Sequence, residues 1–279
     1  MKLPSRHLDV KLIALDLDDT LLTDSLEISF ETVTALHKAA VQGIRIVICS
    51  GRSVGGIMPY AKKLALTDTE EGRYIIAING ARIIDLRRNI SVYSRNLDFE
   101  ILAFVLREAE KRELAVQVCE SSTVYCNVDT KWARLDSELC SLDFKAVADF
   151  EQFLRRGFPK ILISAPPEKI NSFLPQLQES LVKSKKAQVF TSKPYFLEVM
   201  PFGCAKGESL LRLCGILGIQ KEQILAFGDS MNDESMIKLA GYGVAMLNGN
   251  EYIKNIARYI TRYTNQQNGI ADFLNNYVL

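Results

Sequence analysis

Apolar residues in this sequence come in short runs that stop at polar ones, and these runs alternate with stretches of helical period. Val10–Leu17 has the length of a strand and ends in acids, which predicts a buried strand. A helix is expected from about Ser29 to Gln42, with Ser29 as N-cap and Gly43 just past its end. Ile44–Cys49 predicts a second buried strand, running into Ser50-Gly51-Arg52, and a helix from about Val54 to Leu66 follows. Tyr74–Ile78 is a third such strand, closed by the turn pair Asn79-Gly80. Strands apolar on both faces and separated by helices build a parallel sheet covered on both sides. Such sheets bind ligands beyond the carboxyl ends of their strands, and Asp16, Ser50 and Asn79 all fall there.

The pattern shifts after Ala81. Ile83–Asp85 and Ser91–Ser94 read as a hairpin, followed by a helix from about Phe99 to Arg112 capped by Asp98 and a strand at Leu114–Val118. Residues 121–150 are mixed; then come a strand at Lys160–Ser164, a helix at Glu168–Lys183 and a strand at Ala187–Thr191. These strands are shorter and more amphipathic, as a sheet with one wet face requires. The βα alternation returns at Phe196–Met200 and continues through a helix at about Lys206–Cys214 and a strand at Ile224–Phe227 that ends on Gly228-Asp229. The expected architecture is α/β: a doubly wound, Rossmann-like parallel-sheet core made of residues 1–82 and 195–279, with a large α/β cap domain, residues 83–194, inserted in it. A long insert at a site-bearing edge suggests a lid.

Composition agrees with this organisation. The 279 residues suit two domains, and 48% hydrophobic content excludes a disordered chain. Lys and Arg number 34 against 33 Asp and Glu, so nothing pulls the chain toward nucleic acid or anionic lipid. No apolar run approaches the roughly 18 residues of a membrane span, and no signal-peptide core is present. The six Cys are scattered without a C-x-x-C pair, which argues against a zinc site or a disulfide scaffold. The expectation is a reduced, cytoplasmic protein with a small-molecule partner, no nucleic acid and no membrane. The sequence leaves the oligomeric state open.

The chemistry concentrates in two acidic strand ends. Asp16-Leu17-Asp18-Asp19-Thr20 follows the first strand, and strand alternation starts Asp16 and Asp18 on one side. Two ionised carboxylates ~4 Å apart repel by about 4 kcal/mol at an effective dielectric of about 20. Such a pair needs a cation, a shared proton or water, and a hard divalent cation with oxygen ligands is the natural partner. Gly228-Asp229-Ser230-Met231-Asn232-Asp233 is the second cluster, with Ser230 or Asn232 also readable as a helix cap. Two acid-tipped strands in one core favour a joint metal site over two unrelated turns.

DLDDT, SGR, a lone Lys206 and GDSMND, in that order, resemble the four motifs of the haloacid dehalogenase-like (HAD) phosphohydrolases. Asn79-Gly80-Ala81, GYGVAM at Gly241–Met246 and TNQQNGIA at Thr264–Ala271 resemble the Cof-type branch of that superfamily. The resemblance implies a Mg²⁺-dependent phosphatase acting on small phosphorylated metabolites through an aspartyl-phosphate. It makes Asp16 the nucleophile, Asp18 the general acid and base, and Lys206 the cation that neutralises the phosphate. Leu17, Thr20, Ser50, Gly51, Lys206 and Asn232 are then the phosphate-binding set, with Thr20 holding Asp18 or its neighbours and Asn232 touching phosphate or fixing Lys206. Asp16, Asp18 (through its main-chain carbonyl), Asp229 and Asp233 are the implied metal set, Asp233 acting mostly through water. Read without the resemblance, Ser50 is equally a helix cap, Lys206 a solvated lysine, Arg52 an anion-steering group or a surface ion-pair partner, and Trp132 a packing residue or one that stacks on substrate.

The sequence departs from the branch at Asp19, where Gly is usual, and at Asn268, where Asp is usual. A phosphotransferase or mutase would use the same intermediate, and a metabolite-binding protein would keep the fold without the chemistry. A dehalogenase has no use for Asp18 or Mg²⁺.

Overall fold

A computed structural model describes residues 2–279. In chain order the strands are β1 Leu12–Leu15, β2 Arg45–Cys49, β3 Tyr74–Ala77, β4 Arg82–Asp85, β5 Ile90–Ser94, β6 Ala115–Glu120, β7 Thr123–Cys126, β8 Asp143–Ala146, β9 Ile161–Ser164, β10 Ala187–Lys193, β11 Phe196–Pro201, β12 Ile224–Gly228, β13 Tyr242–Ala245 and β14 Tyr259–Ile260. The helices are α1 Phe30–Val41, α2 Val54–Lys63, α3 Phe99–Glu110, α4 Lys131–Cys140, α5 Phe150–Leu154, α6 Pro167–Leu177, α7 Lys206–Leu217, α8 Glu234–Leu239, α9 Glu251–Ile256 and α10 Gly269–Tyr277. No described helix is long and apolar enough to cross a membrane.

The chain divides into two compact units: Met1–Gly51, Ile57–Tyr93 and Ala205–Leu279 form the first, and Arg52–Gly56 with Ser94–Cys204 the second. The first unit carries an eight-stranded sheet in the order β14-β13-β12-β1-β2-β3-β4-β5. Its central pairs, β12/β1, β1/β2 and β2/β3, are parallel, as the buried apolar runs predict. β1, β2 and β12 are buried at nearly every position. Leu12, Ala14, Val47, Ile76, Leu210 and Ala226 belong to one core cluster that α7 and α8 close from above the sheet. Ser29 caps α1 by accepting from the Thr32 N–H at 3.3 Å, and Gly43 beyond it sits at φ +80°, which glycine adopts without steric cost.

The second unit carries a six-stranded sheet, β10-β11-β9-β6-β7-β8, antiparallel except for β7/β8. Its main core joins α3, α5 and α6 to one face through residues such as Val105, Val116, Ile163, Phe173 and Leu197. The expected wet face is only partial. β9 and β11 are buried throughout, and α4 brings Ala133 against Ala115 and Cys126 on the other face.

The structure moves two boundaries. The hairpin β4–β5 extends the first unit's sheet beside β3, so the insert starts at Ser94 rather than at residue 83. β11 pairs with β9 and β10, so the first unit resumes at Ala205 rather than at 195. In both places a strand is apolar enough for either sheet, and the strands it pairs with, β3 for β4 and β9 and β10 for β11, choose between them. Asp98 precedes α3 without a side-chain cap bond, against the expectation. The helix expected at Glu168–Lys183 winds as α up to Leu177 and more widely from Gln178 to Val182.

Candidate active site

Parallel pairing sets the site. β1 and β12 run side by side with Leu15 opposite Phe227, and the Asp16 N–H donates to the Phe227 carbonyl at 3.0 Å. Asp16 and Asp229 therefore leave adjacent strands at the same end. Beyond Asp16 the chain leaves the sheet and winds through Leu17–Leu21, with Asp19 at φ +58°. The strand alternation used to pair Asp16 with Asp18 stops at that point. Asp18 is half-buried and Asp19 exposed, whereas Asp16 is 4% exposed.

Asp233 returns to the same place through a tight turn. Its Oδ2 accepts from the Asp229 N–H at 3.0 Å and the Ser230 N–H at 3.1 Å, and with Ser230 it forms a capping box ahead of α8. Gly228 permits this approach, because a Cβ there would stand 2.6 Å from the Cβ of Asp233. Lys206, the first residue of α7, is wholly buried. Its Nζ donates to Asp16 Oδ1 and, at 2.6 Å, to Asp233 Oδ1. A lone lysine at a helix start is thus the cation of a buried cluster and not a solvated side chain.

One carboxylate oxygen from each of Asp16, Asp229 and Asp233 lies within 4.8 Å of the others. Three carboxylates share one ammonium, so the group carries excess negative charge. Burial, and after it Asp233, raise the Asp16 carboxyl well above its ordinary range, with Lys206 opposing them. Burial and Asp233 likewise push Asp229 up to about 7, against the bond from Thr20. Burial alone would depress the Lys206 ammonium, but Asp16 and Asp233 outweigh it and hold it well above the usual lysine range. An oxygen-rich group whose carboxyls burial and mutual repulsion push upward is chemically suited to a hard divalent cation.

Of the residues singled out in the sequence, Asp16, Lys206, Asp229 and Asp233 converge. Thr20 donates its hydroxyl to Asp229 Oδ1 at 2.9 Å, and so holds Asp229. The Leu17 side chain is fully buried, which leaves only its backbone for a ligand. Ser50 is buried just beyond β2; its N–H donates to Ile76 O at 2.9 Å, and its carbonyl accepts from the Asn79 N–H at 3.0 Å. Asn232 is exposed and bonds to Ser230 and Asn79 rather than to Lys206. Arg52 groups with the second unit, where its charge favours the ionised form of Asp136. Trp132 sits 6.2 Å from the Tyr195 ring, a packing contact within that unit.

Two residues escape sequence reasoning. Asn248 donates to the Asp19 carbonyl at 2.7 Å, and Asn265 donates to the Leu22 carbonyl at 2.8 Å while its N–H reaches Asn248 Oδ1 at 3.0 Å. Together they brace the turn that follows Asp16. Of the two, only Asn265 falls in the TNQQNGIA stretch. Asn268 there stands at φ +63°, a left-handed position that asparagine tolerates and most residues do not.

A haloacid dehalogenase-like hydrolase family model matches residues 13–274. The chain is 30% identical to the 5-amino-6-(5-phospho-D-ribitylamino)uracil phosphatase YcsE of Bacillus subtilis, with all of both chains covered. It is also 30% identical to the phosphatase YwpJ of the same organism, over 95% of this chain and 99% of that one. A haloacid dehalogenase-like hydrolase from Bacteroides thetaiotaomicron superposes with a TM-score of 0.89 at 33% identity, covering 95% of this chain and 98% of that one.

Proposed function

The chain belongs to the haloacid dehalogenase-like hydrolases, in their Cof-type phosphatase branch, and we propose that it hydrolyses small phosphate monoesters in the cytoplasm, sugar phosphates or phosphorylated cofactors, at the strand-end cluster of its first unit. The observation that carries this reading is the buried ammonium of Lys206 bonded to both Asp16 and Asp233, with Asp229 beside them.

Asp16 is the nucleophile. Its carboxylate oxygen attacks phosphorus, the bond to the ester oxygen breaks, and an aspartyl-phosphate forms. Asp18, half-buried on the turn beyond, gives its proton to the departing oxygen. It then takes a proton from the water that attacks the phosphorus, which releases inorganic phosphate and restores Asp16. Lys206 holds the nucleophile in place and offsets charge gathering at the phosphoryl oxygens. The backbone of Leu17, the Ser50 hydroxyl, the Gly51 N–H and the Asn232 amide are donors for those oxygens. Thr20 serves indirectly, by orienting Asp229.

The excess of carboxylates over cations fits Mg²⁺. Asp16, the Asp18 main-chain carbonyl and Asp229 would hold it, with Asp233 behind them through water. Bound there, it would lower the repulsion between nucleophile and phosphate. Three relatives bear the name of 5-amino-6-(5-phospho-D-ribitylamino)uracil phosphatase, which supports a phosphorylated metabolite of that kind as substrate.

Release of inorganic phosphate from p-nitrophenyl phosphate tests the reading. Turnover is expected with Mg²⁺ and not with EDTA, and Asp16→Asn should lower kcat by at least about 10³ with the fold intact. Undiminished turnover in that variant rules out Asp16 as nucleophile. Transfer of the phosphoryl group to an added alcohol without free phosphate would instead mark a phosphotransferase.

A further inference from the structure

The turn after β3 is held in an unusual shape. Ile78, Asn79 and Gly80 stand at φ +53°, +47° and +94° in succession. A β-branched residue is sterically disfavoured there, so neighbours must impose the conformation. Several do. The Ser209 hydroxyl donates to the Gly80 carbonyl at 2.5 Å. A Cβ on Gly80 would run into the Ala205 carbonyl, just ahead of Lys206. The Asn79 N–H is tied to the Ser50 carbonyl.

The result of this shape is the placement of the Asn79 side chain. It lies against Gly51, where an added Cβ would come within 3.0 Å of its Oδ1 and 3.1 Å of its Nδ2. Its Oδ1 accepts from Asn232 Nδ2 at 3.1 Å, across 153 residues of sequence. The opposite side of the same Asn232 amide is also held, since Oδ1 accepts from the Ser230 hydroxyl at 2.7 Å. Asn79 is only 7% exposed, whereas Asn232 is exposed and accessible to a ligand.

We infer that Asn79 is a positioning residue for phosphoryl binding: its side-chain carbonyl, with Ser230, fixes the rotation of the Asn232 amide so that the second N–H of Nδ2 is presented to a phosphoryl oxygen. An amide can turn over, and an amide turned the wrong way would aim an oxygen at an anion. The strained turn is the means by which β3 delivers this constraint to the loop after β12. The inference rests on the proposed role of Asn232 as a phosphate donor.

A double-mutant cycle in the Mg²⁺-loaded enzyme tests it, read as kcat/KM for p-nitrophenyl phosphate and as inhibition by inorganic phosphate. Asn232→Ala should cost about 30-fold, the range for a bond to a charged group, mainly through KM. Asn79→Gly keeps the left-handed backbone and removes the amide. Alone it should cost about tenfold, with the phosphate inhibition constant rising in step. In its background Asn232→Ala should cost less than about threefold, because the amide is no longer aimed. Asn79→Asp keeps an acceptor for Asn232 and tolerates the same φ. It serves also if the glycine variant does not fold, and in its background the Asn232→Ala loss should return to about 30-fold. Losses that multiply independently in the glycine background, or a loss that shrinks as much in the aspartate background, overturn the inference. A silent Asn232→Ala overturns it together with the assignment of Asn232, while hydrolysis that still depends on Asp16 leaves the reaction itself standing.

Discussion

Each unit buries a group of charges, and the two groups are balanced differently. In the first unit, Asp16, Asp229 and Asp233 face the single ammonium of Lys206. In the second, Lys160 donates to Glu198 at 3.3 Å, with Asp136 and Arg52 within electrostatic reach. Two cations there face two carboxylates. Burial would depress the Lys160 ammonium, but Glu198 and Asp136 overcome it and raise it. Buried ions are tolerated when paired and costly when not. The second group is neutral by its own side chains. The first is not; burial pushes carboxyls upward in both groups, Asp136 in the second and Asp16 and Asp229 in the first, where the repulsion of Asp233 adds to it. The difference separates a cluster that completes its own charge from one that waits for a cation or a proton.

Removing the ammonium should separate the two groups most strongly. Lys206→Met should cost about 3–5 kcal/mol in the metal-free protein, because three buried carboxylates then have no counter-charge. Millimolar Mg²⁺ should recover part of that loss, as read by denaturant unfolding. An unchanged midpoint would mean that Lys206 does not hold the cluster together. Lys160→Met should cost less, about 1–3 kcal/mol, since Arg52 still acts on Asp136. Mg²⁺ should restore none of it, and recovery by the ion would erase the distinction between the two groups.

The smallest effect follows from Asp229, which burial and Asp233 push up to about 7. A ligand carboxyl must lose its proton to bind a metal. Mg²⁺ affinity should therefore weaken about tenfold between pH 8 and pH 6, measured by titration of the ion against thermal stability. Without metal the sign for stability is opposite. The folded protein keeps a proton that an unfolded aspartate has lost, so this group's contribution is present at low pH and declines as pH rises from about 4 to about 7. A pH-independent Mg²⁺ affinity would remove Asp229 from the ligand set.

Much of the site was legible because its chemistry is written at strand ends. Asp16 and Asp229 follow short apolar runs, and a run that stops at an acid marks both the end of a strand and a polar group left at the sheet margin. Lys206 was not legible by itself. Its burial depends on α7 packing where Asp16 and Asp233 can reach its ammonium, which no local pattern encodes. The resemblance implies that Thr20 holds Asp18 or its neighbours, and no local pattern shows that its hydroxyl reaches Asp229 across 209 residues. Asn79 and Asn265 fall in stretches that resemble the Cof-type branch, but neither their partners nor Asn248 was legible, because each matters through a bond to a distant stretch of chain.

By itself the sequence determined the alternation of strands and helices, the parallel core and the acidic ends of β1 and β12, since these follow from side-chain periodicity and polarity within a few neighbouring residues. Only the tertiary structure decided which sheet β4, β5 and β11 join. The same is true of Lys206 as the counter-charge, and of the asparagines that brace the site. Those outcomes depend on pairing, hydrogen bonds and charge between separate segments, from neighbouring strands such as β3 and β4 to Leu22 and Asn265, 243 residues apart, and such interactions exist only once the chain has closed on itself.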